Sequence, residues 1–145
     1  MKPIDWTLIA IASARNQPLQ PVQLQKSLFL LDRNLTHKQR QTRNFYKFDP
    51  YDYGPFCNSI YSDTEVLEAN GLIVIQRPPE ARYKLYSATE AGAEEAVKLQ
   101  NGLDKDVVDY LQAVVGFTQS VSFNQLVSTI YEAYPEMKAN SVFQG

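Results

Sequence analysis

The sequence predicts an α+β fold, mainly α. Residues 66–92, VLEANGLIVIQRPPEARYKLYSATEAG, carry most of that prediction: they read as a helix end, a strand, a polar turn, a second strand and a new helix start. Upstream, Leu24, Leu28, Leu31 and Leu35 recur at helical spacing. Downstream, two further apolar stripes of helical period follow. Together they describe a winged helix-turn-helix core over residues 1–88, with a two-stranded wing, and additional C-terminal helices over 89–145. All 145 residues fit one domain of ordinary size.

Each element has its own signal. The first helix is expected at about Asp5–Arg15, where Trp6, Ile9 and Ala10 share a face and Leu8, Ile11 and Ala12 widen it. Pro21 suits the first position of the second helix, which runs to about Leu35. Thr36–Arg43 reads as a basic loop, Asn44–Phe48 as a short strand and Asp49–Pro55 as rigid turn chemistry. A third helix then opens at Pro55 and covers about Phe56–Asn70. Asn70-Gly71 stops it, because Gly enters the left-handed conformation at little cost. Leu72–Ile75 and Tyr83–Ser87 are the two wing strands. Pro78-Pro79 breaks the ladder between them, lacking N–H donors. Thr89 caps a helix over about Glu90–Asn101. Val107, Val108, Leu111, Val114 and Val115 stripe a helix over about Asp104–Gly116. Ser122 and Gln125 match a capping box, with Val121 and Leu126 as its hydrophobic staple, for a last helix stopped near Pro135.

Composition narrows the function classes. Apolar residues make up 44% of the chain, enough for a true core and against disorder. The single cysteine, Cys57, excludes a disulfide framework and a cysteine zinc site, which fits a cytoplasmic protein. The N-terminal apolar run is too short to span a bilayer and is interrupted by Asp5. Net charge is −2, yet residues 1–48 hold eight Lys/Arg against two Asp/Glu. Residues 90–145 hold three against eight. That asymmetry suits either a basic face for an acidic partner or mutual attraction between the halves.

Two blocks resemble a known group. FYKFDPYDYGPFCNSIYSDTEVLEANGLI (45–73) is similar to a motif of small prokaryotic YwgA-like winged-helix proteins: an aromatic strand, a Y-x-Y-G-P-F turn, an I-Y-x-D helix and a G-L-I strand. SFNQLVSTIYEAYPEMKANS near the C-terminus resembles that group's Tyr-rich terminal helix, and QKSLFLL fits its second helix. A more distant likeness runs to the SocA-like (Panacea) antitoxin and adaptor domain, through the Y-G-P turn before a helix. The resemblance implies the fold and a bacterial or phage cytoplasmic origin. Regulation, phage defence and toxin neutralisation all stay open under it.

The candidate nucleic-acid contacts are Arg33, Lys38, Arg40, Arg43 and Lys47, five positive charges with no acid between them. Cations of this kind neutralise phosphates and release counterions. A solvated basic loop is the plainer alternative. Arg77, Arg82 and Lys84 flank the wing turn and form a second cationic set, although Glu80 partly cancels it and an ordinary hairpin is the plainer reading. The third helix is the expected recognition helix, with Asn58, Ser59 and Ser62 able to meet bases. Its Asp63, Glu65 and Glu68 count against groove insertion, and it has no Lys or Arg. Tyr51, Asp52, Tyr53 and Gly54 form a possible interaction turn, or simply set local backbone geometry. With one His, one Cys, no P-loop and no dinucleotide fingerprint, no catalytic residues, metal or cofactor are expected, and the protein is read as not an enzyme. The resulting expectation is a dimeric regulator that binds double-stranded DNA. The alternative is a protein-interaction module such as an antitoxin, adaptor or defence-complex subunit.

Overall fold

The computed structural model of the chain describes residues 1–144, and the fold is mainly helical with two small antiparallel sheets. α1 (Pro3–Ala12) starts on a proline, with the Asp5 carboxylate accepting the Lys2 N–H at 2.8 Å. Trp6 through Ile11 are all buried, so this helix lies inside the molecule. It ends three residues earlier than expected, because Leu19 must reach the β-sheet: Leu19 exchanges both backbone hydrogen bonds with Tyr86, at 2.9 and 2.8 Å. α2 (Pro21–Asn34) is the central helix, with Leu24 through Phe29 buried without interruption.

Residues 36–56 depart from expectation. Thr36–Arg43 contains a helical turn, α3 (His37–Arg40). Thr36 Oγ1 accepts the Gln39 N–H at 3.1 Å and Gln39 Oε1 accepts the Thr36 N–H at 2.8 Å, a reciprocal cap that stabilises this turn. Asn44–Phe48 is irregular rather than a strand, although Tyr46 and Phe48 are buried. The strands come just after it: β1 (Asp49–Tyr51) pairs with β2 (Gly54–Phe56) in a tight hairpin. Pro50 faces Pro55 there, so Pro55 belongs to the hairpin and does not open a helix. Gly54 turns the chain with φ 101°, a conformation that favours glycine.

α4 (Asn58–Ala69) buries Ile60, Thr64 and Leu67. Its end forms a Schellman motif: Leu72 N–H donates to the Leu67 carbonyl and Gly71 N–H to that of Glu68, both at 3.0 Å, with Gly71 at φ 74°. β3 (Ile73–Gln76) and β4 (Leu85–Ala88) are antiparallel, with Ile75 opposite Tyr86. α5 (Glu90–Asn101) packs on α1, and α6 (Lys105–Ser120) packs on α2. α6 continues past Gly116, because its last turn is tied down: Thr118 Oγ1 lies 3.3 Å from Ser27 Oγ, and Gln119 bonds both Arg15 N and the Gln17 carbonyl. α7 (Phe123–Ala133) carries the Ser122–Gln125 capping box at 3.2 and 2.9 Å, and a 3₁₀ turn follows at Pro135–Lys138.

One buried cluster joins Trp6, Phe29, Ile60 and Tyr86 to Leu111, Val115 and Ile130. The C-terminal helices thus complete the core. Among the described residues, no helix is long and apolar enough to cross a membrane.

Candidate functional site

The eight predicted cations divide by environment. Arg40 is a structural residue: it is 8% exposed, and its Nη1 donates to the Asp32 and Leu35 carbonyls, both at 3.0 Å. The same nitrogen pairs with the Asp32 carboxylate at 3.6 Å, while the guanidinium lies over the Phe45 ring. Trp6 Nε1 donates to the Arg40 carbonyl at 3.0 Å. The prediction that Arg40 reaches a phosphate is therefore corrected: its guanidinium is buried and held by the Asp32 carboxylate and two backbone carbonyls. Burial raises the Asp32 pKa, and Arg40 and Arg33 partly offset that rise. Arg33 rests over Phe29, 3.9 Å from Asp32, and Arg77 pairs with Glu68 at 3.4 Å. Lys38, Arg43, Lys47 and Arg82 are exposed, Lys84 is half-buried, and none of the five has an ion pair among the described residues.

α4 presents a different surface from the one its charges suggest. Tyr46 donates its hydroxyl hydrogen to Asp63 at 2.5 Å and accepts from Thr7 at 2.7 Å. Burial and the Asp63 contact push the Tyr46 pKa far above its ordinary value, so this hydroxyl stays a donor and holds Asp63 inward. Glu68 is occupied by Arg77 and by the Ile75 N–H at 3.3 Å. Glu65 is left as the one acid of α4 that is both exposed and free of such a contact. Lys2 and Lys47 border a depression beside Ser59, Asp63 and Val66. Lys2, which lies far from the basic stretch in sequence, is thus brought alongside α4. Asn58, Ser59 and Ser62 are exposed near the start of the helix.

The Tyr51–Gly54 turn lines a separate cleft of about 690 Å³ between α2, the β1–β2 hairpin and the start of α7. Its framework is locked. Gln25 pairs with the backbone of Cys57, accepting the N–H and donating to the carbonyl, both at 2.9 Å. A Cβ at Gly54 would make a tight 3.3 Å contact with the Tyr131 ring, and the backbone there, at φ 101°, strains any side chain. Lys26 lines the cleft yet is only 4% exposed, and its ammonium donates to the Pro55 carbonyl at 3.2 Å. Burial lowers its pKa to about 8. Lys26 carries no motif signal. In α2 it falls between Gln25 and Ser27, off the leucine stripe, and only the folding of the hairpin over α2 buries it.

Among the described residues, no cluster of His, Cys, Asp and Glu could hold a metal ion. Cys57 is buried at the start of α4. No protein-family model matches the chain, and no curated protein matches it.

Proposed function

We propose that this chain is a DNA-binding regulatory protein with a winged-helix core. The order α1, Leu19, α2, α4, β3, β4 supports that reading, because the Leu19–Tyr86 pairing adds a third strand position beside β4. α3 and the β1–β2 hairpin are then an insertion between the second and third core helices, and the β3–β4 connection is the wing. The similarity to YwgA-like proteins suits this core, and a prokaryotic dimer is the form we expect.

The observation that carries the DNA reading is the state of the α4 acids. Glu68 is ion-paired with Arg77, and Asp63 keeps its charge but is held by the neutral Tyr46 hydroxyl, so Glu65 is the exposed α4 acid left without a partner. Asn58, Ser59 and Ser62 then offer hydrogen bonds to base edges. Lys2, Arg43 and Lys47 neutralise flanking phosphates, and Arg82 and Lys84 do so from the wing.

The second reading is a protein-interaction module of the antitoxin or adaptor kind, to which the SocA-like resemblance belongs. The exposed aromatic rings of Tyr51, Tyr53 and Phe123 favour it. Fluorescence anisotropy with a labelled duplex, at low and near-physiological salt, separates the two. Under the DNA reading, binding weakens steeply with salt. An Arg43→Glu/Lys47→Glu variant keeps its fold and loses affinity, and its salt slope falls by about 2. Absence of binding at low salt overturns the DNA reading.

A further inference from the structure

Four aromatic side chains are exposed among the described residues: Tyr51, Tyr53, Tyr83 and Phe123. All four line the single cleft that also holds Lys26. They come from the β1–β2 hairpin, the β3–β4 connection and α7, elements distant in sequence. The walls are ordered by ring contacts: Tyr51 stacks on Phe56 at 5.0 Å between centroids, and Tyr53 meets Phe123 edge-on at 5.1 Å. The volume suits a small molecule.

The polar content of the cleft is selective. An ammonium has three N–H donors. Lys26 has one protein acceptor, the neutral Pro55 carbonyl, and no carboxylate lies within 4.0 Å of it among the described residues. A buried cation without an opposing charge is costly unless a ligand supplies that charge. Asp52 is the only acid lining the cleft, and it disfavours a ligand with a second negative charge. Three of the five lining amides are already committed, Gln25 to Cys57, Gln23 to the Thr118 carbonyl and Gln119 to the Gln17 carbonyl, and Gln20 reaches the Tyr83 hydroxyl at 3.5 Å.

We propose that this cleft is a binding site for a small organic monocarboxylate with a flat aromatic body, its carboxylate on Lys26 and its ring between the tyrosines. The inference does not rest on the DNA reading and holds equally for an interaction module.

Three matched probes test it on the intact chain: 4-hydroxyphenylacetate, its neutral amide and the cationic tyramine. Binding is followed by NMR chemical-shift titration up to millimolar concentration. The proposal expects the acid to bind at least about tenfold tighter than the amide, as a charge-assisted hydrogen bond requires. Tyramine should bind weakest. Lys26→Met should bring acid and amide to equal affinity, and Tyr53→Ala should weaken both together. Equal binding of acid and amide to the unaltered protein overturns the proposal. So does the absence of binding by all three probes, or a preference for the acid that survives in Lys26→Met. The acid–amide comparison needs no variant, so a folding defect in Lys26→Met leaves the test intact.

Discussion

Lys26 and Arg40 are both buried cations of the basic N-terminal third, and their opposite environments lead to opposite predictions. The folded chain releases the Lys26 proton near pH 8, whereas the unfolded chain holds it to 10.5. Between those values the unfolded state binds more protons, so this residue makes stability rise with pH. Below pH 8 the full cost is present, on the order of 3 kcal/mol as an upper bound. Lys26→Met is therefore expected to be more stable at pH 7 by about 2 kcal/mol, with the gap closing as pH approaches 10. Urea denaturation of both proteins at pH 7 and pH 9.5 checks this. Tyr86, pushed up to about 12 by burial, works in the opposite sense above pH 10 but is common to both proteins and cancels in the difference.

Arg40 is instead held by acceptors at its Nη1. Arg40→Ala should lose about 3 kcal/mol in urea denaturation, because it leaves two carbonyls without their donor and Asp32 with Arg33 alone. A drop in DNA affinity from that variant would then report unfolding, not a lost phosphate contact. Nothing local distinguishes Arg40 from Arg43 in the sequence: both are arginines in a polar run, and only the return of Trp6 and Phe45 onto α3 separates them.

At the scale of elements, the signals that proved legible were those with a local cause. The Asn70-Gly71 stop, the Thr89 cap and the Ser122–Gln125 box are hydrogen-bonding devices completed within six residues, and each stands where expected. Residues 44–56 differ from the expected strand and turn because an alternation of aromatic and polar residues does not require strand pairing. Tyr46 and Phe48 alternate into the core without pairing to anything, and the true strands are three residues long and rich in proline.

Gly92 shows the reach of tertiary packing into a helix. A Cβ at this position would lie 1.8 Å from the Leu72 carbonyl oxygen, where α5 docks on the corner between α4 and β3. Thr89 clamps the same corner by donating to the Gly71 carbonyl at 2.7 Å. Gly92→Ala raises helix propensity, yet it should destabilise the protein by about 3 kcal/mol through the clash with backbone. Thermal and urea unfolding of this single variant decide which effect wins.

For the whole molecule, the fold is organised around α2, with α6 on one side and the β1–β2 hairpin on another. That placement creates two separate surfaces. One is the outward side of α4 with Lys2 and Lys47 beside it, and the other is the aromatic cleft over Lys26. The sequence shows the ingredients of the first, including its three α4 acids, but not the partners of two of them, since Tyr46 and Arg77 come from other elements. Of the second surface only the Tyr51–Gly54 turn was legible, because Tyr83, Phe123 and Lys26 meet it through long-range packing alone.

Under the DNA reading Glu65 is the exposed α4 acid without a partner on the face offered to the duplex, so reversing its charge should raise the affinity. The decisive measurement is anisotropy of a labelled duplex titrated with the unaltered protein and with Glu65→Lys, across a series of salt concentrations. The account predicts that Glu65→Lys binds about tenfold tighter at low salt, with a salt slope steeper by about 1. Equal and negligible binding by both proteins at low salt would contradict it and leave the protein-interaction module as the reading to pursue.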